Sequence, residues 1–246
     1  MKISILMPTY DCPPHLMVKS LGSIVNQTHQ DFEIIIKDGC VDNPAINDSG
    51  VQELINSLGS RVKYILSPDG PSSEVSGFYK HNGFYEALDA CVEASTGDVL
   101  SLLCSDDETG ESDTFEYVNQ IFTSQGSTPS LVYGQCEWIN ADGSHNGYKT
   151  PPSSITYEQL LSAYTLYTPA LFWSKSIHDR FGLFDYENFS WCADLDFWLR
   201  CWKDIQTTFA PKVLGKYRTW ETSQCLKNNL LVGAETTVLQ RKHSGV

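Results

Sequence analysis

Long hydrophobic runs and positive charge are both scarce in this chain. Apolar residues never extend over the roughly 18 consecutive positions that a membrane-spanning helix needs. The opening run from Ile3 to Met7 is too short for a secretory signal peptide, so the sequence predicts a soluble protein. Lys and Arg number 17 against 30 Asp and Glu, which gives a formal charge of −13. This excess argues against a nucleic-acid partner and limits any expected membrane contact to a peripheral one.

The spacings typical of metal-binding cysteines and histidines are missing as well. The eight cysteines lack CxxC spacing and the six histidines lack HxxxH spacing, so neither a zinc site nor a disulfide framework is indicated. Scattered cysteines of this kind are typical of reduced thiols in the cytoplasm. A polyanionic ligand would therefore need a carboxylate-bound metal or a few local Lys and Arg.

The apolar residues that are present, 41% of the chain, form an alternating strand and helix pattern that one α/β domain can bury. Ile3 to Met7 and Phe32 to Ile36 have the composition of short buried strands, and apolar residues at helical spacing lie between them. This order predicts a parallel pair joined by a right-handed crossover. A helix over Val51 to Leu58, a strand over Val62 to Leu66 and a helix from Gly83 to near Gly97 continue the pattern.

Two adjacent carboxylates, Asp106 and Asp107, follow the apolar run from Val99 to Cys104. In open α/β sheets ligands bind at the carboxyl edge, so the loop after this strand should meet the loops after the first two strands. Adjacent carboxylates repel each other, and a hard divalent cation carrying a diphosphate relieves that repulsion. The pair therefore indicates a metal-diphosphate site. The alternative is that it only opens a polar loop or caps a helix.

The second half of the chain shows weaker periodicity. A strand is indicated over Leu131 to Ile139, a helix over Tyr157 to Tyr164 and another helix over Leu195 to Trp202. No repeat or low-complexity linker divides the chain, so any boundary is a soft one between residues 1–107 and residues 108–246.

Several further motifs follow one another over most of the chain. They are Ser4–Tyr10, Ser23–Thr28, Asp31–Gly39, Gly83–Asp89, Ala94–Leu100 leading to Ser105–Asp107, Phe181–Asp185 and Ala193–Arg200. In their order and spacing they resemble the family 2 glycosyltransferases of GT-A fold, which move a sugar from a nucleoside diphosphate to an acceptor.

The resemblance implies a single α/β domain of GT-A type with a Rossmann-like, mostly parallel central sheet flanked by helices. Residues 1–107 would form the half that binds the nucleotide-sugar donor. Residues 108–246 would form the acceptor-binding half and a C-terminal helical segment of the same domain.

The resemblance also implies donor contacts after the first two strands. Pro8, Thr9 and Tyr10 would line the nucleotide cleft. Asp38 would accept a hydrogen bond from a pyrimidine N–H, which favours UDP- or dTDP-sugars over GDP-sugars. The family often has a second acidic residue before this Asp, and here Lys37 stands in that place, either near the diphosphate or solvated.

At the carboxylate pair, Asp106 would contact the ribose or the donor sugar, and Asp107 would bind Mn²⁺ or Mg²⁺ bridging the two phosphates. Farther along, family members often have a histidine, two residues after an arginine, that can reach the metal or diphosphate. This chain has Arg218 followed by Trp220. Arg218 is thus a candidate diphosphate contact, and Trp220 would either stack on a sugar or pack in the core.

Transfer to a hydroxyl group requires a carboxylate that takes the proton as the new bond forms. The resemblance implies Asp194 for this base, and direct attack predicts inversion at the anomeric carbon. Asp196 competes, but positions two apart on a helix do not share a face. The alternative is that Asp194 caps the helix while Asp196 pairs with Arg200.

Taken together, these features predict a metal-dependent inverting glycosyltransferase that acts in the cytoplasm on a polysaccharide, glycolipid or other glycan acceptor. A sugar-phosphate nucleotidyltransferase would need a Gly-rich basic loop where Pro8 to Pro14 stands. A catalytically silent module that binds nucleotide sugars or glycans is the third alternative. Metal-dependent hydrolysis of the donor would separate the enzyme from the silent module.

Overall fold

The computed structural model describes residues 1–40, 42–66, 74–75, 78–79, 82–220 and 229–244. Its helices are α1 (Pro14–Val25), α2 (Ser49–Leu58), α3 (Asn82–Ala94), α4 (Thr114–Gln125), α5 (Tyr157–Leu161), α6 (Ser176–Phe181), α7 (Ala193–Cys201) and α8 (Asn229–Ser244). Its strands are β1 (Ile3–Thr9), β2 (Phe32–Asp38), β3 (Val62–Leu66), β4 (Glu74–Val75), β5 (Phe78–Tyr79), β6 (Val99–Leu102), β7 (Glu108–Thr109), β8 (Ser130–Asn140), β9 (His145–Lys149), β10 (Leu171–Ser174) and β11 (Gln206–Thr219). Across these ranges, no helix is long and apolar enough to cross a membrane.

One large sheet organises the described part of the chain. Its strands lie in the order β3-β2-β1-β6-β10-β8-β11-β7, and β9 pairs with β8. The strands β3, β2, β1 and β6 are parallel to one another, as expected for strands joined by helical crossovers. The predicted α/β class with a mostly parallel central sheet flanked by helices is confirmed.

The sequence patterns predicted the strands and helices in the first half of the chain well. The predicted strands from Ile3 and Phe32 form, and each runs two residues farther than its apolar run, to Thr9 and Asp38. The helix ending at Leu58 stops where predicted, because Gly59 adopts a φ of 58° that glycine tolerates best. The Gly-, Pro- and Ser-rich stretch from Ser67 to Gly77 predicts a surface loop, and this stretch lies largely outside the described residues.

The second half departs from the predictions in two ways. The helix predicted to reach Tyr164 ends at Leu161, because Ala163 adopts a left-handed φ of 62°. Antiparallel neighbours also enter the sheet, since β10 runs against both β6 and β8. The strand β8 nevertheless points the same way as β6, so its end at Asn140 lies at the same edge as the end of β6.

Apolar side chains fill both faces of the sheet. One cluster joins α3, α5 and α7 and includes Leu88, Trp173 and Phe197. The other joins α1, α2 and α4 and includes Leu21 and Phe115. Because both faces are covered, the polar groups of the carboxyl edge are held on a rigid support.

Candidate active site at the carboxyl edge of the sheet

The loops that follow β1, β2 and β6 converge at one edge of the sheet. Thr9 lies opposite Asp38 in the parallel register of β1 and β2. The Thr9 Oγ1 and Ser105 Oγ atoms are 2.8 Å apart in a buried hydrogen bond, and the Gly39 N–H donates to the Thr9 carbonyl at 3.0 Å. The convergence expected from the sequence is therefore present.

Asp106 and Asp107 lie at this edge with Cys104. One carboxylate oxygen from each Asp and the Cys104 Sγ atom all lie within 4.8 Å of one another. Asp107 is buried, with 2% of its surface exposed. Burial, reinforced by the Asp106 charge, raises the pKa of Asp107 well above its usual range, against the opposing effect of Arg218. Two convergent carboxylates, one destabilised as an anion, fit a hard divalent cation such as Mg²⁺ or Mn²⁺.

Arg218 holds the carboxylate pair from the neighbouring strand β11. Its backbone N–H donates to Asp107 Oδ1 at 2.8 Å, and its Nε donates to the Asp106 carbonyl at 2.8 Å. The guanidinium is buried and also donates to the Asn140 carbonyl at 3.0 Å and to Glu108. The backbone N–H of Arg218 thus holds the Asp107 carboxylate, while the guanidinium binds backbone carbonyls and Glu108.

Trp220, in the place where the family often has histidine, faces the same pair. Its indole Nε1 donates to Asp106 Oδ2 at 2.8 Å. The indole is half-buried rather than part of the core, and because its N–H can only donate it cannot supply the metal ligand that a histidine would. One Asp106 oxygen is thereby held by a neutral donor.

Asp38 is buried with 1% of its surface exposed. Its Oδ1 accepts from the Cys40 N–H and its Oδ2 from the Ala45 N–H, each at 2.8 Å. The Tyr64 hydroxyl also donates to Oδ2, and burial, followed by this bond to Asp38, raises the pKa of Tyr64. The loop after β2 is therefore folded around the Asp38 carboxylate.

The other residues predicted for the nucleotide cleft flank Asp38 and Thr9. Pro8 is buried within β1 opposite the half-buried Lys37, and Tyr10 is 54% exposed just beyond the strand. The donor contacts of these residues stay predictions.

Asp194 lies in the first turn of α7, half-buried. Its Oδ1 accepts from the Tyr85 hydroxyl at 2.8 Å and from the Leu195 N–H at 2.9 Å. Within the described ranges no group donates to Oδ2, so this oxygen can take a proton. Burial raises the pKa of Asp194, partly offset by the Tyr85 hydrogen bond. A carboxylate with these properties suits a general base.

Asp196 is engaged elsewhere. It is fully buried and accepts from Arg200 Nε at 2.8 Å, Lys242 Nζ at 2.9 Å and His243 Nε2 at 3.0 Å. Burial acts to raise the pKa of Asp196, but these three partners outweigh it and lower that pKa. The predicted pairing with Arg200 is present, which leaves Asp194 as the residue of the two with an open oxygen.

Two polar groups around Asp194 were not singled out from the sequence. Tyr85 lies within the Gly83–Asp89 motif, where its helical spacing places it on the apolar face of α3. Glu235 belongs to α8 and accepts hydrogen bonds from the segment before α7. No local pattern could reveal Glu235, because its partners lie more than 40 residues away.

Comparison with known proteins places this geometry in context. A family model described as "Glycosyl transferase family 2" matches residues 4–178. A "PGL/p-HBAD biosynthesis glycosyltransferase" of Mycobacterium bovis (strain BCG / Pasteur 1173P2) is 24% identical over 216 residues, which cover 87% of this chain and 75% of the relative. An "Uncharacterized glycosyltransferase MG060" of Mycoplasma genitalium is 30% identical over 110 residues, 44% of this chain and 33% of the relative.

Solved structures share the fold. S. aureus TarS 1-349 in complex with UDP superposes with a TM-score of 0.71 at 15% identity, covering 99% of this chain and 65% of that one. The mannosyltransferase PcManGT from Pyrobaculum calidifontis, in complex with GDP-Man and Mn²⁺, gives a TM-score of 0.63 at 14% identity, covering 98% and 63%. The chain therefore spans less than two thirds of the length of these solved proteins.

Proposed function

The chain belongs to glycosyl transferase family 2 and is a glycosyltransferase, and we propose that it is a metal-dependent, inverting one. In this proposal a sugar passes from a nucleoside diphosphate to a hydroxyl group of a glycan, glycolipid or polysaccharide acceptor. The observation that carries the proposal is the convergence of Asp106 and Asp107 with the ends of β1 and β2 at one sheet edge.

Metal binding falls to Asp107 and its neighbour Asp106. The buried Asp107 carboxylate is unfavourable as an isolated anion, which supports a cation at this place. When bound, Mn²⁺ or Mg²⁺ supplies Lewis-acid stabilisation of the leaving diphosphate. The hydrogen bonds of Arg218 to Asp107 Oδ1 and the Asp106 carbonyl support a role in positioning the pair, and its direct contact with the diphosphate stays a prediction.

Donor recognition falls to the loops after β1 and β2. Asp38 Oδ1 accepts one hydrogen bond from the protein and keeps a lone pair for the N–H of uracil or thymine, which would reach this 1% exposed carboxylate only when the loop after β2 moves aside. Tyr10 and Thr9 flank it, with Pro8 fixing the strand beneath. UDP- and dTDP-sugars are the favoured donors. TarS bound to UDP and PcManGT bound to GDP-Man supply the two alternatives for comparison.

Proton transfer falls to Asp194. Its open Oδ2 takes the proton of the acceptor hydroxyl, while Tyr85 holds Oδ1 in place. The raised pKa of Asp194 makes its carboxylate more basic, and therefore a better acceptor for the proton of the hydroxyl group. A single displacement assisted by one base inverts the anomeric carbon.

The two halves of the chain divide this work. Residues 1–107 bind the donor, and residues 108–246 contribute the base and the acceptor surface. We place the reaction in the cytoplasm, where buried thiols such as Cys91 and Cys136 stay reduced.

Thermal shift of the full chain tests the donor site. UDP, dTDP and GDP are each added with and without Mn²⁺ to the wild type, to Asp107→Ala and to a control, Asp31→Ala, which removes an exposed carboxylate at the opposite end of β2. A nucleotide at about 100 times its Kd should raise the Tm by roughly 5–10 °C. We expect a Mn²⁺-dependent shift with one pyrimidine diphosphate in the wild type and the control only.

Catalysis is tested on the same proteins by release of nucleoside diphosphate from UDP-glucose, UDP-galactose, UDP-N-acetylglucosamine, dTDP-rhamnose and GDP-mannose. Water then stands in for the acceptor hydroxyl. Metal-dependent hydrolysis of one donor supports the enzyme. Tight binding of a donor without hydrolysis or transfer to any added glycan would instead favour the silent binding module.

A further inference from the structure

The C-terminal helix α8 is hydrogen-bonded to the backbone just before α7, the helix that carries Asp194. The Glu235 carboxylate of α8 accepts three consecutive backbone N–H groups: Ser190 at 3.0 Å, Trp191 at 2.8 Å and Cys192 at 2.9 Å. These N–H groups immediately precede α7, whose second residue is Asp194. Cys192, the N-cap residue of α7, makes no side-chain cap hydrogen bond. Glu235 therefore supplies from α8 the acceptor for the backbone N–H groups just before α7.

Tyr85 ties the same backbone to the Asp194 side chain. Its hydroxyl lies 2.8 Å from Asp194 Oδ1 and 3.2 Å from the Trp191 carbonyl. A shift of the 190–192 backbone would thus move both the Asp194 Cα atom and the phenol that holds its carboxylate. Position matters because a displacement of about 1 Å at a reacting group can cost roughly 100-fold in rate.

A second set of contacts holds α8 against the core and against α7. Leu239 is fully buried in the core, and Lys242 and His243 both donate to Asp196. Since these contacts lie on the far side of Leu239 from Glu235, they hold the helix without touching the 190–192 backbone. This separation gives a matched control within one helix.

We propose that Glu235 is a positioning residue for catalysis: by binding the 190–192 backbone it aims the Asp194 carboxylate at the acceptor hydroxyl. The inference rests on the proposed role of Asp194 as the base. Glu235 does not touch the reacting atoms and acts through the backbone alone.

The electrostatic consequence gives the inference a distinctive readout. The titratable groups that face Asp194 from other elements are Tyr85 on α3 and Glu235 on α8, with Cys192 beside Tyr85. The Glu235 charge raises the pKa of Asp194. Its removal should lower that pKa, so the acidic limb of the pH–rate profile should move to lower pH. A helix that served only for folding would not move this limb.

The test compares Glu235→Gln with Lys242→Gln in the full chain. The rate measured is nucleoside diphosphate release from the donor of the five-sugar panel that reacts fastest. We expect Glu235→Gln to lower kcat about tenfold or more, to leave the donor KM within about twofold, and to shift the acidic limb to lower pH. Lys242→Gln should keep the wild-type limb.

Glu235→Asp covers the case in which Glu235→Gln does not fold. The shorter side chain keeps the charge but cannot reach all three N–H groups, so kcat should fall with the limb unmoved. A ¹³C carboxyl titration, with Asp194→Asn to assign the signal, reports the pKa of Asp194 without any donor. We expect a lower value in Glu235→Gln.

Distinct outcomes separate the failures. An unchanged kcat and limb in folded Glu235→Gln, together with an inactive Asp194→Asn, would overturn the inference and leave the proposed function intact. Equal shifts of the limb in Glu235→Gln and Lys242→Gln would also overturn it, because the effect would then belong to the helix as a whole. A fully active Asp194→Asn would overturn it along with the assignment of the base.

Discussion

At the scale of single residues, the candidate site depends on two aspartic acids whose pKa values are raised above the ordinary value for this residue. Asp107 is buried beside Asp106, and Asp194 is half-buried with its Oδ1 hydrogen-bonded to Tyr85. In each case burial raises the pKa of the carboxyl group, because the anion loses its hydration. The two acids have different partners, however, and these suit different roles: Asp107 faces a second carboxylate, whereas Asp194 has an open oxygen.

Replacing Asp107 by Asn should stabilise the protein without metal while removing metal binding. The folded-state pKa of Asp107 lies above its unfolded value, so this group costs stability as the pH rises and the acid ionises. Asn keeps an oxygen for the Arg218 N–H without the charge. We expect the Tm of Asp107→Asn to exceed that of the wild type more at pH 8 than at pH 4, with no Mn²⁺-dependent nucleotide shift. A lower Tm at both pH values would contradict the buried charge.

Replacing Asp194 by Asn should remove the base and preserve the fold. Asn can still accept from Tyr85 and Leu195 but cannot take a proton. A general base contributes about 10²–10⁴-fold, so kcat should fall by that factor while the nucleotide thermal shift is retained. Loss of nucleotide binding in this variant would place Asp194 in the donor site instead.

At the scale of elements, charged side chains attach one helix to the next. Asp196 on α7 binds Arg200, Lys242 and His243, and so joins α7 to α8. Asp89 on α3 accepts the Phe184 N–H at 3.1 Å and joins α3 to the segment after α6. These attachments fix the helices that carry Tyr85 and Asp194 at the carboxyl edge.

Removing the Asp196 carboxylate should loosen α8. Breaking a buried charge cluster costs about 3 kcal/mol, here less because Lys242 is 43% exposed. Because the folded-state pKa of Asp196 is lowered, its stabilising effect is present above its unfolded value and is lost as the pH falls through the folded value. Urea unfolding at pH 7 should show Asp196→Asn destabilised relative to Asp179→Asn, an exposed control on α6. Equal stability of the two variants would exclude the attachment.

The contribution of Asp89 to stability should depend on pH in the opposite sense to that of Asp196. Burial raises the pKa of Asp89 to about 7, above its unfolded value, so its contribution to stability falls as the pH rises from about 4 to about 7. Asp89→Asn keeps an acceptor for Phe184 and should be more stable than the wild type at pH 8 but not at pH 4. Urea unfolding at these two pH values checks the sign.

The sequence predicted elements best where a short apolar run is bounded by glycine or by polar residues. The strand over Val62–Leu66 and the end of α2 at Leu58 were placed to the residue. The long strand β11 was not predicted, because it contains Pro211 and Gly215 and shifts register twice against β8. Polar residues occur on both faces of β11, so the strand lacks the alternation of apolar and polar residues from which strands are predicted.

For the site, the sequence singled out the carboxylates together with Arg218 and Trp220, but it did not predict the hydrogen bonds of these two residues to the pair, nor the roles of Tyr85 and Glu235. Asp38 ends β2, and Asp106 and Asp107 lie in the loop that follows β6, so their convergence follows from parallel pairing. Tyr85 and Glu235 act through contacts between distant segments, 109 residues and more than 40 residues apart along the chain. Such pairs arise only once the helices pack on the sheet.

At the scale of the whole molecule, one edge of the sheet carries the candidate donor residues, and the candidate base lies on a helix packed against that sheet. The strands β1, β2 and β6 present Thr9, Asp38 and the carboxylate pair, and β11 braces that pair through Arg218. The formal charge of −13 means that the molecule as a whole repels a nucleoside diphosphate. A cation at the carboxylate pair is the simplest way to reconcile an acidic protein with an anionic donor.

The most direct measurement is an anomalous-scattering map from crystals of the full chain grown with UDP and Mn²⁺. The expected result is a manganese peak within ligand distance of an Asp107 oxygen and of both phosphates, with the uracil beside Asp38. The same map from Asp107→Asn crystals should lack the peak. UDP bound beside Asp38 with no manganese at Asp107, or manganese bound elsewhere with UDP, would contradict the metal-diphosphate site.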